Sequence, residues 1–374
     1  MRYYIIAGEA SGDLHASNLM AAIKKKDHQA DFRYFGGDKM QAQGGVLVKH
    51  YRDMAFMGFV EVVLNLTTIL KNLQHCKKDI SQFKPEVAIL VDYPGFNMRM
   101  AKYLHKKRIP VVYYISPQIW AWNQSRVHKI RKSVDKMLVI LPFEQAFYKQ
   151  HKVDVEFVGH PLLDELLNIP EVTNHFPADK PTVALLPGSR KQEISLVLPI
   201  MLEVAQLMPE VNFVIAGLNA IGEDFYRALA SNRPVNLLMN QTYQLLAASE
   251  AALVTSGTAT LETALIGTPE VVCYKGGTLS YQIAKRVIRT KYISLVNLVM
   301  EKPVVKELIQ HELTPQNLKS ELQILLNNKE KRAAMLNDFA LLRKKLGGEG
   351  ASDKAAEIIV GFLNEKNNHK HNAY

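Results

Sequence analysis

AALVTSGTATLETALIGTPEVVC, residues 251–273, decides the fold. Its opening run, Ala251-Ala252-Leu253-Val254, has the length and apolar composition of a buried strand. Small hydroxyl and glycine residues follow, Thr255-Ser256-Gly257-Thr258, and Ala259-Thr260-Leu261-Glu262-Thr263-Ala264-Leu265 then reads as a helix. After a Gly-Thr-Pro stop, Pro269-Glu270-Val271-Val272-Cys273 reads as a second strand. Together these make one βαβ unit whose loop presents free backbone N–H groups at a helix N-terminus, where they can hold a diphosphate. Glu262, one turn into the helix, is placed to accept hydrogen bonds from a ribose diol. A structural crossover with no ligand would use the same residues.

The same alternation extends upstream. Residues 182–186 read as a strand, Pro187-Gly188-Ser189-Arg190 as a loop, 193–208 as a helix and 212–216 as a strand. Arg190 could fork onto phosphate oxygens there or form a surface ion pair. In the first half, residues 3–7 form a strand, Gly8-Glu9-Ala10-Ser11-Gly12-Asp13 a tight loop and 14–26 an amphipathic helix. Two of the three glycines of a dinucleotide fingerprint are present, so the loop suits a sugar hydroxyl, a phosphate or a plain turn better than a nicotinamide cofactor. The near-continuous apolar strand 86–91 ends in Asp92-Tyr93-Pro94-Gly95-Phe96-Asn97, and Asp92 fits either a general base at a strand tip or a helix cap. Strand 110–115 leads into Ser116-Pro117-Gln118-Ile119-Trp120-Ala121-Trp122, whose aromatic faces suit a sugar ring, an acyl chain or a domain interface. Pro142-Phe143-Glu144 starts another helix, and His160 in Gly-His-Pro is a turn residue or a donor to a ligand phosphate.

At 374 residues the chain exceeds one ordinary α/β domain, so two doubly wound domains are expected, residues 1–168 and 169–346, divided by a proline-bearing connection near residues 168–181. The formal charge of +10 implies an acidic partner: nucleic acid, an anionic membrane surface or a phosphorylated substrate. Cys76 and Cys273 lie far apart and no Cys/His cluster has zinc spacing, which points to a reducing compartment and away from structural zinc. The first residues read as a strand rather than a secretory signal, and no apolar run is long enough to span a bilayer. Residues 54–70 are dense in Met, Phe, Val and Leu, with Glu61 carrying the one carboxylate, and Lys71, Lys77 and Lys78 follow. That pattern is either a buried helix or a peripheral grip on anionic lipid, with Phe59, Val60, Val63 and Leu64 as the membrane contacts.

The loop motifs taken in order carry a resemblance. Gly8 to Asp13, Met57-Gly58-Phe59-Val60-Glu61-Val62, Val91 to Asn97, Ser116 to Trp122, Leu186 to Arg190, Ser256 to Glu262 and Ser294-Leu295-Val296-Asn297-Leu298 resemble the motifs of the lipid-A-disaccharide synthase family, in that family's order, from about residue 8 to 345. Tyr93-Pro94-Gly95 stands where the family often has Ala-Pro-Asp, and Gly-His-Pro where it often has Gly-His-Thr.

The resemblance implies a GT-B fold, two Rossmann-like domains facing a cleft, with the last helix, residues 347–374, returning to the first domain. It implies an inverting glycosyltransferase that transfers 2,3-diacylglucosamine from its UDP derivative to the 6-hydroxyl of 2,3-diacylglucosamine 1-phosphate (lipid X), giving a β-1,6 tetraacyl disaccharide 1-phosphate and UDP. No cofactor and no metal are implied, and the chain has no Asp-x-Asp motif. Asp92 matches the family's essential aspartate and becomes the expected base. Arg190, Ser256, Gly257, Thr258 and Glu262 are the expected donor contacts, and Gly8, Glu9, Ser11, Asn97, Lys275 and Asn297 the expected further substrate contacts. The expected setting is the cytoplasmic face of the inner membrane of a Gram-negative bacterium, with peripheral lipid contact, no nucleic acid and a homodimer among the options. The alternative is another GT-B enzyme acting on a UDP-sugar, such as a UDP-GlcNAc 2-epimerase or a transferase with a soluble acceptor.

Overall fold

The structure is a computed structural model that describes residues 1–54, 66–168, 180–231, 233–277 and 290–371. The expected lipid contacts Phe59, Val60, Val63 and Leu64 lie outside the described residues. The chain folds as two compact units, Met1–Asp164 with Leu346–Tyr374, and Glu165–Lys345.

The first unit holds a seven-stranded sheet. Its strands are β1 (Arg2–Ala7), β2 (Asp31–Gly36), β3 (Val46–His50), β4 (Val87–Val91), β5 (Val111–Tyr114), β6 (Lys136–Val139) and β7 (Glu156–Phe157). They lie in the order β3-β2-β1-β4-β5-β6-β7, every pair parallel. Tyr3-Tyr4-Ile5-Ile6-Ala7 and Val87-Ala88-Ile89-Leu90-Val91 are buried throughout. They need continuous apolar sequence because helices cover both faces of a parallel sheet.

The second unit repeats the plan in a six-stranded parallel sheet, with β8 (Thr182–Leu186), β9 (Asn212–Gly217), β10 (Val235–Met239), β11 (Ala251–Thr255), β12 (Glu270–Tyr274) and β13 (Lys306–Ile309). The order is β10-β9-β8-β11-β12-β13. In each unit the chain lays three strands outward to one side and then places the fourth on the other side of the first. The crossover loops therefore part at the carboxyl ends of β1 and β4, and of β8 and β11, the place where such sheets bind ligands.

The first crossing between units falls at 164/165, earlier than the 168/169 expected from composition. Asp164 belongs to the first unit through its carboxylate, which accepts the N–H groups of Gly350 at 2.6 Å and Ser352 at 3.1 Å. These bonds cap the final helix, Ala351–His371, whose buried Ala351, Ala355, Ala356, Ile359 and Leu363 form a stripe packed on the helix Ala10–Lys26. Gly347, at φ +94°, sits so close to Gly159 that an added Cβ would lie 3.0 Å from the Gly159 Cα, so two glycine backbones meet where the chain returns.

Asp164→Ala leaves both capped N–H groups without their acceptor, and should lower stability by about 1–2 kcal/mol, read as a lower urea midpoint. An unchanged midpoint would show that the cap carries no weight.

Candidate active site

In the second unit, β8 and β11 are neighbours, so the loops 187–190 and 256–257 leave the same sheet edge side by side. The Ser256 N–H continues the ladder to the Cys273 carbonyl at 2.9 Å, and its hydroxyl donates to the Ile293 carbonyl at 3.1 Å. Ser256 is thereby fixed as the base of the loop. Gly257 is the extended N-cap of the helix Thr258–Ile266 and supplies no side-chain cap. The first N–H groups of that helix have no intrahelical acceptor, and Gly257 and Thr258 are exposed. Among the described residues, a Cβ on Gly257 would meet nothing within 4 Å. Exposed first-turn amides and the positive end of the helix dipole together favour an anion.

Glu262 is half-buried and accepts the Tyr243 hydroxyl at 2.9 Å through Oε1. Burial raises its pKa, and the Tyr243 bond works against that rise. Arg190 is exposed as the N-cap of the helix Lys191–Leu207, on the loop beside Ser256. That loop turns through Gly188 at φ +122°, and the Ser189 N–H donates to Glu193 at 3.1 Å. Lys275 follows β12 on the same edge, half-buried.

Asn297 is not available in the way expected of a substrate contact. It is 1% exposed, its amide donates to the Val305 carbonyl and to Glu307, both at 2.9 Å, and its carbonyl oxygen accepts the N–H groups of Val304 and Val305. Four bonds occupy the whole amide, and its role is to hold the turn before β13.

In the first unit the corresponding edge carries the loops after β1 and β4. Asp92 and Tyr93 both lie in the left-handed region, at φ 43° and 47°. Neither is glycine, so this backbone is strained and must be held by its surroundings. The holding groups are explicit. The Asp92 N–H donates to the Tyr114 carbonyl at 3.1 Å, and the Asp92 carbonyl accepts the Tyr113 hydroxyl at 2.7 Å and the Asn97 amide at 2.8 Å. The Tyr93 hydroxyl donates to the Met54 carbonyl at 2.7 Å. The Tyr93 ring lies against Gly8, where a Cβ would stand 2.2 Å from the ring, so only glycine fits there.

Asp92 does not cap the next helix, because Tyr93 occupies the N-cap position of Pro94–Lys106. Its carboxyl is pushed up to about 7, first by burial and then by the charge of Glu9 on the neighbouring loop, with the Tyr93 backbone N–H pulling the other way. Gly8 is buried, Glu9 half-buried and Ser11 exposed on this edge.

Asn97 differs from Asn297 in that only its amide nitrogen is engaged. It is fully buried, and its amide N–H group donates to the carbonyls of Ile6, Val91 and Asp92, pinning the ends of β1 and β4 together. Its amide nitrogen shapes the Asp92 turn, while its Oδ1 has no hydrogen-bond partner among the described residues. His160 is likewise a turn residue: burial lowers its pKa to about 3, its Nδ1 accepts the Leu162 N–H, and its own N–H donates to Leu346.

Tyr93, Tyr113 and Tyr243 escaped sequence reading as site residues. A tyrosine beside a strand end looks the same whether its hydroxyl is idle or holding a catalytic turn. Among the described residues, no group of three or more His, Cys, Asp or Glu is placed to hold a metal ion, and no helix is long and apolar enough to cross a membrane.

Comparison with known proteins fits this geometry to a family. Residues 3–360 match the profile described as lipid-A-disaccharide synthetase. The chain is 42% identical over 371 residues to the lipid-A-disaccharide synthase of Syntrophus aciditrophicus, covering 96% of this chain and 97% of that one. It is 40% identical to the enzyme of the same name from Nitrosococcus oceani, covering 97% and 96%. Among solved structures, the UDP-GlcNAc 2-epimerase of Neisseria meningitidis bound to UDP-GlcNAc superposes with a TM-score of 0.65 at 14% identity, covering 98% of this chain and 100% of that one. CalG4, the calicheamicin glycosyltransferase, gives 0.62 at 16%, covering 97% and 98%. At such identities the structures establish the α/β GT-B fold, which epimerases and transferases share, and leave the choice of chemistry to the sequence relatives. Those relatives match nearly end to end, and on that ground the chain belongs to the lipid-A-disaccharide synthase family.

Proposed function

We propose that Asp92 is the general base of the lipid-A-disaccharide synthase reaction, and that the amides at Gly257 and Thr258 hold the diphosphate of the departing UDP. The reaction transfers 2,3-diacylglucosamine from its UDP derivative to the 6-hydroxyl of 2,3-diacylglucosamine 1-phosphate. The Asp92 carboxylate takes the proton of that hydroxyl as its oxygen bonds to the anomeric carbon. The bond from the anomeric carbon to the diphosphate oxygen breaks on the opposite face, and its electron pair leaves with UDP, so configuration inverts in one step. The observation that carries this reading is a carboxyl at the switch point of the first sheet, on a strained turn held by its neighbours, which burial and Glu9 push up to about 7. A base whose pKa lies near the working pH is both ionised and strong enough to accept a proton.

Charge grows on the diphosphate as the bond breaks, and donors that are already oriented stabilise it without reorganising. The first-turn amides after Gly257, with Arg190 on the adjacent loop, have the sign and placement for this role. Glu262, an acceptor already oriented by Tyr243, suits the ribose hydroxyls. Glu9 and Ser11 border the acceptor side, with Glu9 also raising the basicity of Asp92. Lys275, on the donor edge, adds positive charge near the nucleotide.

Both substrates carry acyl chains, and the chain is suited to meet them at an anionic bilayer on the cytoplasmic face of the inner membrane. The support is the +10 charge and the start of the helix Leu66–Phe83. There Leu66 and Leu70 are 50% and 51% exposed, with Lys71 and Lys78 alongside. Exposed leucines beside lysines give a peripheral protein both apolar insertion and electrostatic attraction.

Asp92→Asn should lower turnover by about 10²–10⁴-fold while UDP affinity stays unchanged, measured by disaccharide formation in detergent and by UDP titration. Near-normal turnover would remove Asp92 as the base.

Wild-type activity should rise with pH and level off above an apparent pKa of about 7. Stability carries the opposite sign. A carboxyl whose folded pKa is raised from 3.8 to about 7 makes the folded state bind the proton more tightly than the unfolded one. Wild type should therefore lose stability relative to Asp92→Asn as pH rises through that window, and the gap in melting temperature should stay constant above it.

Leu66→Ser combined with Leu70→Ser should reduce binding to phosphatidylglycerol vesicles several-fold without changing the melting temperature, and raised salt should weaken what binding remains. Undiminished binding would place the lipid contact elsewhere.

A further inference from the structure

Glu144 is a carboxylate 1% exposed, with no part in the mechanism above. It stands in the first turn of the helix Pro142–Gln150, and three N–H donors converge on it. Its Oε1 accepts the indole N–H of Trp120 at 3.2 Å, and its Oε2 accepts the backbone N–H groups of Ile140 at 3.2 Å and Leu141 at 3.0 Å. The two backbone bonds would cap the helix by themselves. The third reaches across to a different loop, the one that leaves β5. Phe143 packs edge-on against the Trp120 ring with centroids 4.8 Å apart, and one helical turn on, the Tyr148 hydroxyl pairs with the Ser116 hydroxyl at 2.6 Å. A single short helix thus grips residues 116–120 at both ends. Burying a carboxylate is costly, and burial pushes this one up to about 7 against the pull of its donors. An apolar side chain would fill the same space more cheaply, so the carboxylate is retained for what it holds.

What it holds lies next to Asp92. Strand β5 pairs with β4, and β5 supplies both the Tyr113 hydroxyl and the Tyr114 carbonyl that fix the Asp92 backbone. Ile115, the next residue, turns through the left-handed region at φ 65°, and the chain passes directly into the segment that Glu144 anchors. Trp120 is almost wholly buried in that arrangement, so its ring is packed into place by the loop and its nitrogen is tied by Glu144.

We infer that Glu144 is a positioning residue for the lipid-acceptor side of the reaction: by accepting the Trp120 indole N–H it fixes the 116–122 loop against the sheet edge that carries Asp92. This rests on the reading of that edge as the acceptor side. Glu144 touches no reacting atom and acts through the loop.

The test uses the full-length protein. The chain has two tryptophans, so a Trp122→Phe background leaves Trp120 as the one indole emitter. Glu144→Gln keeps the volume but sets an NH2 group against at least one of the three donors, since one carbonyl oxygen cannot serve both positions. In that variant Trp120 emission should shift to longer wavelength and become more open to acrylamide. KM for 2,3-diacylglucosamine 1-phosphate should rise about tenfold, with kcat within about threefold and KM for the UDP-sugar unchanged.

Trp120→Phe removes the donor itself and should raise the acceptor KM to a similar extent. The double variant should be no worse than either single one, because both changes break the same bond. The inference is overturned if folded Glu144→Gln shows wild-type emission or wild-type acceptor KM, or if the two losses add. Should Glu144→Gln fail to melt cooperatively, Trp120→Phe alone decides, and an unchanged acceptor KM there sinks the idea. Retained turnover in Asp92→Asn would instead remove the base assignment, while the emission and KM readings on Glu144 would still stand.

Discussion

Parallel pairing is the constraint from which the rest follows. A parallel pair cannot be closed by a tight hairpin, so each strand must be followed by a crossover, and every carboxyl end in a sheet comes to lie on one edge. Residues distant in sequence are then neighbours in space without needing to touch in the core. Gly8 and Asp92 share an edge because β1 pairs with β4, and Arg190 and Ser256 share another because β8 pairs with β11. Reversing the winding direction once in each sheet opens the crevice between those loops. The proposed chemistry uses the place in each unit where two adjacent crossovers diverge.

The two edges have opposite electrostatic character. On the first, burial and the charge of Glu9 work together to make Asp92 a stronger base than an exposed aspartate. On the second, an extended glycine leads into a helix N-terminus with nothing among the described residues within 4 Å of its Cβ position, and the partial positive charge of the backbone there favours an anion. The strained pair Asp92 and Tyr93 is tolerable because Tyr113, Tyr114, Asn97 and Met54 hold it from four directions.

The two asparagines show where reading from sequence stopped. Asn97 and Asn297 stand in motifs that mark the family, and each was expected at the substrate. Both are buried; the Asn297 amide is bonded to the protein at both ends, and the Asn97 amide nitrogen ties β1 to β4 while its Oδ1 has no partner among the described residues. A motif reports that a side chain is needed, and an amide that organises a catalytic turn is needed as much as one that touches sugar. Sequence also could not rank Glu144 above an ordinary cap, because the bond that distinguishes it joins residues 24 positions apart. Asp92, read evenly as base or cap, was separated from the cap reading by a one-residue offset in where the helix begins.

The sequence by itself determined the parallel α/β class, the twofold repeat of strand, loop and helix, and the family, because these rest on apolar runs and on loop residues whose identity the local backbone requires. Only the tertiary structure decided which polar side chains are buried in holding the loops and in which direction burial and Glu9 move Asp92. Burial, hydrogen-bond partners and neighbouring charge are set by segments far apart in the chain, and they come together only once the crossovers have placed every strand.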